Sequence, residues 1–178
     1  MIFLNNTLQL KPIVASDVTT LQHLMSEIYP PAYKHFWKDG GKFYVENQYS
    51  KENILKELLQ ENAIYFFVIF NNEIIGNFRI IWDEKLVGLN EKKHVKLHRI
   101  YLHQKIQGNG IGKQLVAWLE KTAKDKNYNL IWLDAMNSQP QAFQFYKKLG
   151  YNYHSHIFLN FELMLDDVRK MSQIYKKI

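Results

Sequence analysis

Apolar residues along this chain recur with two periods, and each stretch of regular period predicts an element. Leu8-Gln9-Leu10 alternates as a short strand. Ser16-Asp17-Val18-Thr19 reads as a helix start, Leu21, Leu24 and Ile28 follow at helical spacing, and Pro30-Pro31 predicts the stop. Residues 32–49 are rich in glycine and aromatics and have no assignable period. Ser50 is placed to cap a second helix with Ile54, Leu55, Leu58 and Leu59 on its apolar side. The β-branched and aromatic run 64–70, the turn Asn71-Asn72-Glu73 and the run 74–82 predict a hairpin. A polar loop, 83–90, precedes a strand over 94–102. Ile111, Leu115, Trp118, Leu119 and Thr122 share one helix face. Leu130-Ile131-Trp132-Leu133 reads as a strand. Pro140 opens a helix lined by Ala142, Phe145, Tyr146 and Leu149, and Gly150 closes it. Residues 151–165 predict two further strands turning near Asn160, and a basic helix is expected from about Asp166. This order of elements implies a single α/β (α+β) domain over 1–178, with a mixed sheet and helices on both faces.

Chemistry concentrates in six residues, Gln107-Gly108-Asn109-Gly110-Ile111-Gly112, between the 94–102 strand and the helix that begins around Lys113. A glycine-rich turn at a helix N-terminus presents unpaired backbone N–H groups at the positive end of the helix dipole, which is an anion site. Two familiar phosphate loops fail on spelling. A P-loop would need glycine where Gln107 stands and Ser or Thr where Gln114 stands. The dinucleotide fingerprint would need its third glycine where Lys113 stands.

Gln107, Gly110 and Gly112 fit the pattern Gln/Arg-x-x-Gly-x-Gly/Ala, which resembles the acetyl-CoA loop of the GNAT acetyltransferase family. Leu97-His98-Arg99-Ile100-Tyr101-Leu102 is similar to that family's central strand. Ala142-Phe143-Gln144-Phe145-Tyr146-Lys147-Lys148-Leu149-Gly150-Tyr151 is similar to its late helix and following turn. The match is good over 65–160 and looser before, and it is nearest to the bacterial spermidine/spermine acetyltransferase-like branch. The resemblance implies a GNAT fold: a mostly antiparallel sheet whose central strand and the 130–133 strand splay apart to admit the pantetheine arm. It implies acetyl-CoA as co-substrate, held by Ile100, Tyr101, Leu102, Gln107, Gly108, Asn109, Gly110, Ile111, Gly112, Lys113, Gln139 and Tyr146.

Moving an acetyl group to an amine makes three demands. The carbonyl oxygen needs a hydrogen-bond donor as it gains charge. The resemblance implies a main-chain N–H near residues 100–102, with Leu102 the first choice. The departing thiolate needs a proton. Tyr146 holds the family's donor position, although its helix face alone would make it a core tyrosine; a phenol of pKa about 10 is protonated at neutral pH. The amine must lose a proton, and His98 stands where the polyamine branch has a glutamate. An imidazole of pKa about 6.5 suits a base, and a histidine bonded inside the sheet suits the position equally. Strict alternation would put His98, Ile100 and Leu102 on one face and Leu97, Arg99 and Tyr101 on the other. Tyr101 and Glu84 are further candidates for the amine pocket. Gln139 replaces the asparagine that in the family contacts pantetheine, and Asn137 is the alternative. His94 and His98, or His154 and His156, lack the carboxylates and thiols of a metal site, so no metal is expected.

Net charge is +6, but the basic residues are scattered, so no nucleic-acid partner is expected; a polyanionic coenzyme accounts for Lys105 and Lys113 beside the loop. The absence of cysteine rules out a thiol nucleophile, so direct attack by the amine is the expected route. No run approaches a membrane span and no export signal is visible, so a cytoplasmic enzyme is expected. The predicted activity is acetyl transfer from acetyl-CoA to a primary amine, a polyamine or another small amine. The alternatives are a non-catalytic CoA-binding regulatory module and a protein N-terminal or lysine acetyltransferase. Pairing is common in the family, so a homodimer is allowed for. Acceptor choice is expected to lie in residues 30–49 and 83–90.

Overall fold

The strand-forming runs assemble into one sheet of eight strands in the computed structural model, which describes residues 1–178. In chain order the elements are β1 (Ile2–Phe3), β2 (Leu8–Pro12), α1 (Val18–Tyr33), α2 (Lys42–Gln48), α3 (Lys51–Leu58), β3 (Ala63–Phe70), β4 (Glu73–Trp82), β5 (His94–Leu102), α4 (Ile111–Asp125), β6 (Leu130–Met136), α5 (Pro140–Lys148), β7 (Asn152–Phe158) and β8 (Lys170–Lys177). The spatial order is β1-β2-β3-β4-β5-β6-β8-β7. Only β5 and β6 run parallel, because α4 carries the chain back across the sheet between them. The hairpin between β3 and β4 turns on Asn71 and Asn72, whose φ angles of 49° and 65° give the left-handed pair that a two-residue connection needs. Ser50 caps α3 as expected, accepting from the Asn53 N–H at 3.2 Å.

Two cores lie on opposite faces. Under α4 and α5, Ile111, Leu115, Leu119 and Tyr146 pack on Val95, Leu97 and Leu133. Under α1, α2 and α3, Leu21, Met25, Tyr29, Val45 and Ile54 pack on Tyr65 and Phe67. Burying side chains of this size stabilises by about 1.5–3 kcal/mol each, which binds both helix layers to the sheet.

Three expectations are corrected. Pro30 and Pro31 do not stop α1; they sit in its last turn, and it runs on to Tyr33. The two prolines leave the Ser26 and Glu27 carbonyls without their helical donors, while the bond from the Lys34 N–H to Pro30 O still closes the last turn. Residues 151–165 hold one strand, not two, and the C-terminal run is β8 instead of a basic helix. Ser172 and Ile174 alternate inward along it, and β8 fills the space between β6 and β7. Residues 32–49, unassigned by pattern, contain α2.

Candidate active site

The loop 107–112 divides its amides into two groups. The N–H groups of Gln107 and Asn109 are used inside the turn, on the carbonyls of Gln104 and Ile106. Those of Gly108, Gly110, Ile111, Gly112 and Lys113 have no backbone acceptor, since the first α4 bond is from Gln114 N to Gly110 O. Gly108 and Gly110 adopt φ of 86° and 69°, and a Cβ at either would meet nothing within 4 Å, so the space beside the loop is open. Gln107, Gly108, Gly110, Ile111, Gly112 and Lys113 line the main cavity; Asn109 does not, and its side chain bonds back to Ile106 O. Lys113 has no ion-pair partner, whereas Lys105 is held by Glu73 at 3.0 Å. Five free amides, a helix dipole and one free ammonium fit a pyrophosphate.

Beside this loop the sheet opens. β5 and β6 pair only from His94↔Leu130 to Leu97↔Leu133; beyond that, His98 to Leu102 and Asp134 to Met136 have no cross-strand partners between them. A cavity of about 780 Å³ fills the gap. The His103 N–H bonds to Ile75 O on β4, so alternation turns the N–H groups of Leu102 and Ile100 away from β4, into the gap. Tyr101 lies between them with its carbonyl turned to β4, where a Cβ on Gly76 would come within 2.2 Å of it. Only glycine at 76 leaves β4 close enough to hold this open-edged strand.

Tyr146 is 5% exposed and lines the cavity from α5. Its hydroxyl has no protein hydrogen-bond partner, yet it is not among the sealed, unsatisfied polar atoms, which are Arg79 Nε, Arg99 Nε and Tyr151 Oη. It therefore opens into the gap. Burial holds its pKa well above the usual phenol range, so it stays protonated. Gln139 lines the gap, its Nε2 donating to Ala32 O at 3.0 Å, with Oε1 left over. Asn137 is turned away, its Oδ1 accepting from Ser172 Oγ at 2.8 Å.

His98 sits at a β-bulge. The β4–β5 register passes from Arg79↔Arg99 to Ile80↔Leu97, leaving His98 as the extra residue. Strict alternation is therefore broken: Leu97 packs with Ile100 and Leu102 on the α4 face, while Arg99 and Tyr101 serve the α1–α3 face. His98 Nδ1 is 2.6 Å from Arg79 Nη1, so the ring accepts there and its proton belongs on Nε2. Burial, followed by the charges of Arg99, Arg79 and Lys96, drives its pKa down to about 2. Of the two roles the sequence left open, this setting suits the histidine bonded inside the sheet, a neutral imidazole that holds a guanidinium, better than a base near pKa 6.5. Arg99 bonds Glu57 at 2.7 Å and Tyr49 Oη at 3.1 Å, and Glu57 also reaches Arg79 at 3.7 Å.

The far wall of the cavity was not legible as a site. Tyr29, Tyr33, Trp37, Tyr44 and Tyr101 meet Phe161 and Met164 across it. Residues 30–49 contribute Tyr33, Trp37 and Tyr44 to this wall, but 83–90 contribute nothing: Glu84 lies outside the cavity, its carbonyl accepting from Trp132 Nε1 at 2.7 Å. The one available signal was the density of aromatics over 29–44. No group of three His, Asp or Glu side chains is close enough to share a metal ion, and no helix is long and apolar enough to cross a membrane.

Comparison with known proteins fits this geometry. The model of the acetyltransferase (GNAT) family matches residues 22–151. An uncharacterized N-acetyltransferase from the pepI 3′ region of Lactobacillus delbrueckii subsp. lactis is 23% identical over 141 residues, 79% of this chain and 78% of that protein. Among solved structures, the PaiA N-acetyltransferase of Thermoplasma acidophilum in complex with coenzyme A superposes with a TM-score of 0.73 at 19% identity, over 97% of this chain and 99% of the other. A variant of spermidine N-acetyltransferase SpeG from Vibrio cholerae superposes with a TM-score of 0.63 at 15% identity, over 97% and 95%. At such identities the two structures speak for the fold alone.

Proposed function

The chain belongs to the acetyltransferase (GNAT) family, and from that premise we propose that it transfers the acetyl group of acetyl-CoA to a primary amine by direct attack. One observation supports this most: the unpartnered Tyr146 hydroxyl lies in a gap between parted strands, beside a loop of five free amides. The amides of Gly108, Gly110, Ile111, Gly112 and Lys113 hold the pyrophosphate. The open edge of β5, with Gln139 opposite, seats the pantetheine arm.

In the reaction the amine nitrogen forms a bond to the thioester carbonyl carbon, the carbon–sulfur bond breaks, and the electron pair leaves with sulfur. The Leu102 N–H faces the gap and donates to the carbonyl oxygen as charge builds there. Tyr146 gives its proton to the sulfur, and the second proton, which the nitrogen sheds as the amide forms, returns to the Tyr146 oxygen through water. The amine arrives as an ammonium and sheds its proton to solvent on entry. Desolvation and the charge of Arg99, which shares its one carboxylate with Arg79, both favour its neutral form. His98 is a positioning residue, fixing Arg79 and the bulge from which β5 diverges.

Free-thiol release from acetyl-CoA with a panel of primary amines tests this. The Tyr146→Phe enzyme is expected to bind coenzyme A as the native protein does and to lose kcat by about a hundredfold or more. An unchanged kcat would remove Tyr146 from the chemistry.

A further inference from the structure

The α1–α2 side of the cavity has a composition that selects among amines. Tyr29 stacks on Tyr33 at 4.8 Å and on Tyr44 at 4.3 Å, making a continuous run of three rings. Tyr101 meets this run edge-on, 5.9 Å from Tyr29 and 5.8 Å from Tyr33, and Phe161 closes on Tyr44 at 5.9 Å. The hydroxyls are largely spent within the wall. Tyr29 accepts from Trp37 Nε1 at 2.9 Å, and Tyr44 and Tyr101 share a hydrogen bond of 2.9 Å. What these tyrosines turn to the cavity is mainly ring surface, with the Tyr33 hydroxyl left without a partner.

Charge points the same way. Asp134 is the only carboxylate lining the cavity, and Lys96 Nζ holds it at 2.7 Å. Of the other charged lining residues, Lys113 belongs to the pyrophosphate loop, which leaves the Arg99 guanidinium beside the acceptor. Behind Arg99, a single carboxylate, Glu57, serves two buried guanidiniums, those of Arg79 and Arg99. A substrate with two or three ammonium groups would find no unpaired carboxylate here and would face excess positive charge. A monoamine is free of this penalty, because its one nitrogen gives up its proton to react.

We propose that the acceptor is a primary monoamine on a flat aromatic or apolar body, seated against the Tyr33, Tyr44 and Phe161 rings with Tyr29 buried as the ring that holds the stack together, and that polyamines are discriminated against. This rests on the acetyl-transfer reading above and narrows its acceptor. The wall is assembled from α1, α2, β5 and the loop after β7, so it forms only in the complete fold.

The experiment compares kcat/KM for 2-phenylethylamine, butylamine and spermidine at saturating acetyl-CoA, by thiol release with the full chain. The order expected is 2-phenylethylamine above butylamine above spermidine, with at least about a tenfold gap between the first and last, as loss of ring-on-ring contact would give. In Tyr44→Ala and, independently, Phe161→Ala, the KM for 2-phenylethylamine should rise severalfold while the Kd for coenzyme A, read by calorimetry, stays as in the native protein. Spermidine equal to or better than 2-phenylethylamine overturns the acceptor class and leaves acetyl transfer standing. An unchanged KM in both variants removes the aromatic wall from recognition. Thiol release with none of the amines overturns the transfer reading, and the acceptor class with it.

Discussion

His98 shows how far one residue's type can be read and where its setting cannot. A histidine on the central strand was visible from sequence. Its position at a bulge was not, because a bulge is a mismatch between two strands, here Arg79-Ile80 against Leu97 to Arg99, and neither strand signals it alone. The bulge gathers His98 with Arg79 and Arg99, and burial with these charges lowers its pKa from about 6.5 to about 2. The consequence for stability has a definite sign. Between those two values the unfolded chain binds a proton that the folded chain refuses, so the contribution is complete above about pH 6.5 and is lost as pH falls towards 2. The His98→Asn protein should therefore lose less of its Tm between about pH 7 and 5 than the native protein, as thermal melts will register. The same residue should leave no histidine limb between about pH 5 and 8 in kcat/KM. A limb there that disappears in His98→Asn would restore the base role.

At the level of elements, pattern reading succeeded where period and boundary signals agreed and failed where a third element decided the outcome. The β3–β4 hairpin, α4 and α5 follow directly from two-residue turn chemistry, an apolar stripe and a proline-to-glycine frame. The run from Lys170 to Lys177 looks like a polar helix because its lysines mask a weak alternation. It becomes a strand because β6 and β7 both offer it unpaired edges. The connection from β7 to β8 thereby becomes a strap over the cavity. Arg169 fastens it: Nη1 donates to Leu159 O at 3.1 Å and Phe161 O at 2.9 Å, and Nη2 to Met164 O at 2.9 Å. Replacing Arg169 by alanine frees three carbonyls and loosens Phe161 and Met164. Steady-state kinetics should show the KM for the amine rising on the order of tenfold, equivalent to about 1.4 kcal/mol, with the KM for acetyl-CoA unchanged. A rise shared by both substrates would mean that the strap supports the whole cavity and not the acceptor side alone.

Across the whole molecule, the sheet divides two tasks and the gap between β5 and β6 joins them. The α4–α5 side was legible because its parts are contiguous: a loop, the helix it opens and a tyrosine within one recognisable block. The aromatic side was not, because Tyr29, Tyr44, Tyr101 and Phe161 come from four separated segments that only the folded sheet brings together. The central claim is that free amides at the start of α4 and on the open edge of β5 seat the acyl donor. The most direct test follows backbone amide chemical shifts by NMR as coenzyme A is titrated into the protein. The largest changes are expected at Gly108, Gly110, Ile111, Gly112, Lys113 and Leu102, with smaller ones at Gln107 and Asn109, whose N–H groups are already bonded. No binding, or binding that leaves these amides still while others move, contradicts the account.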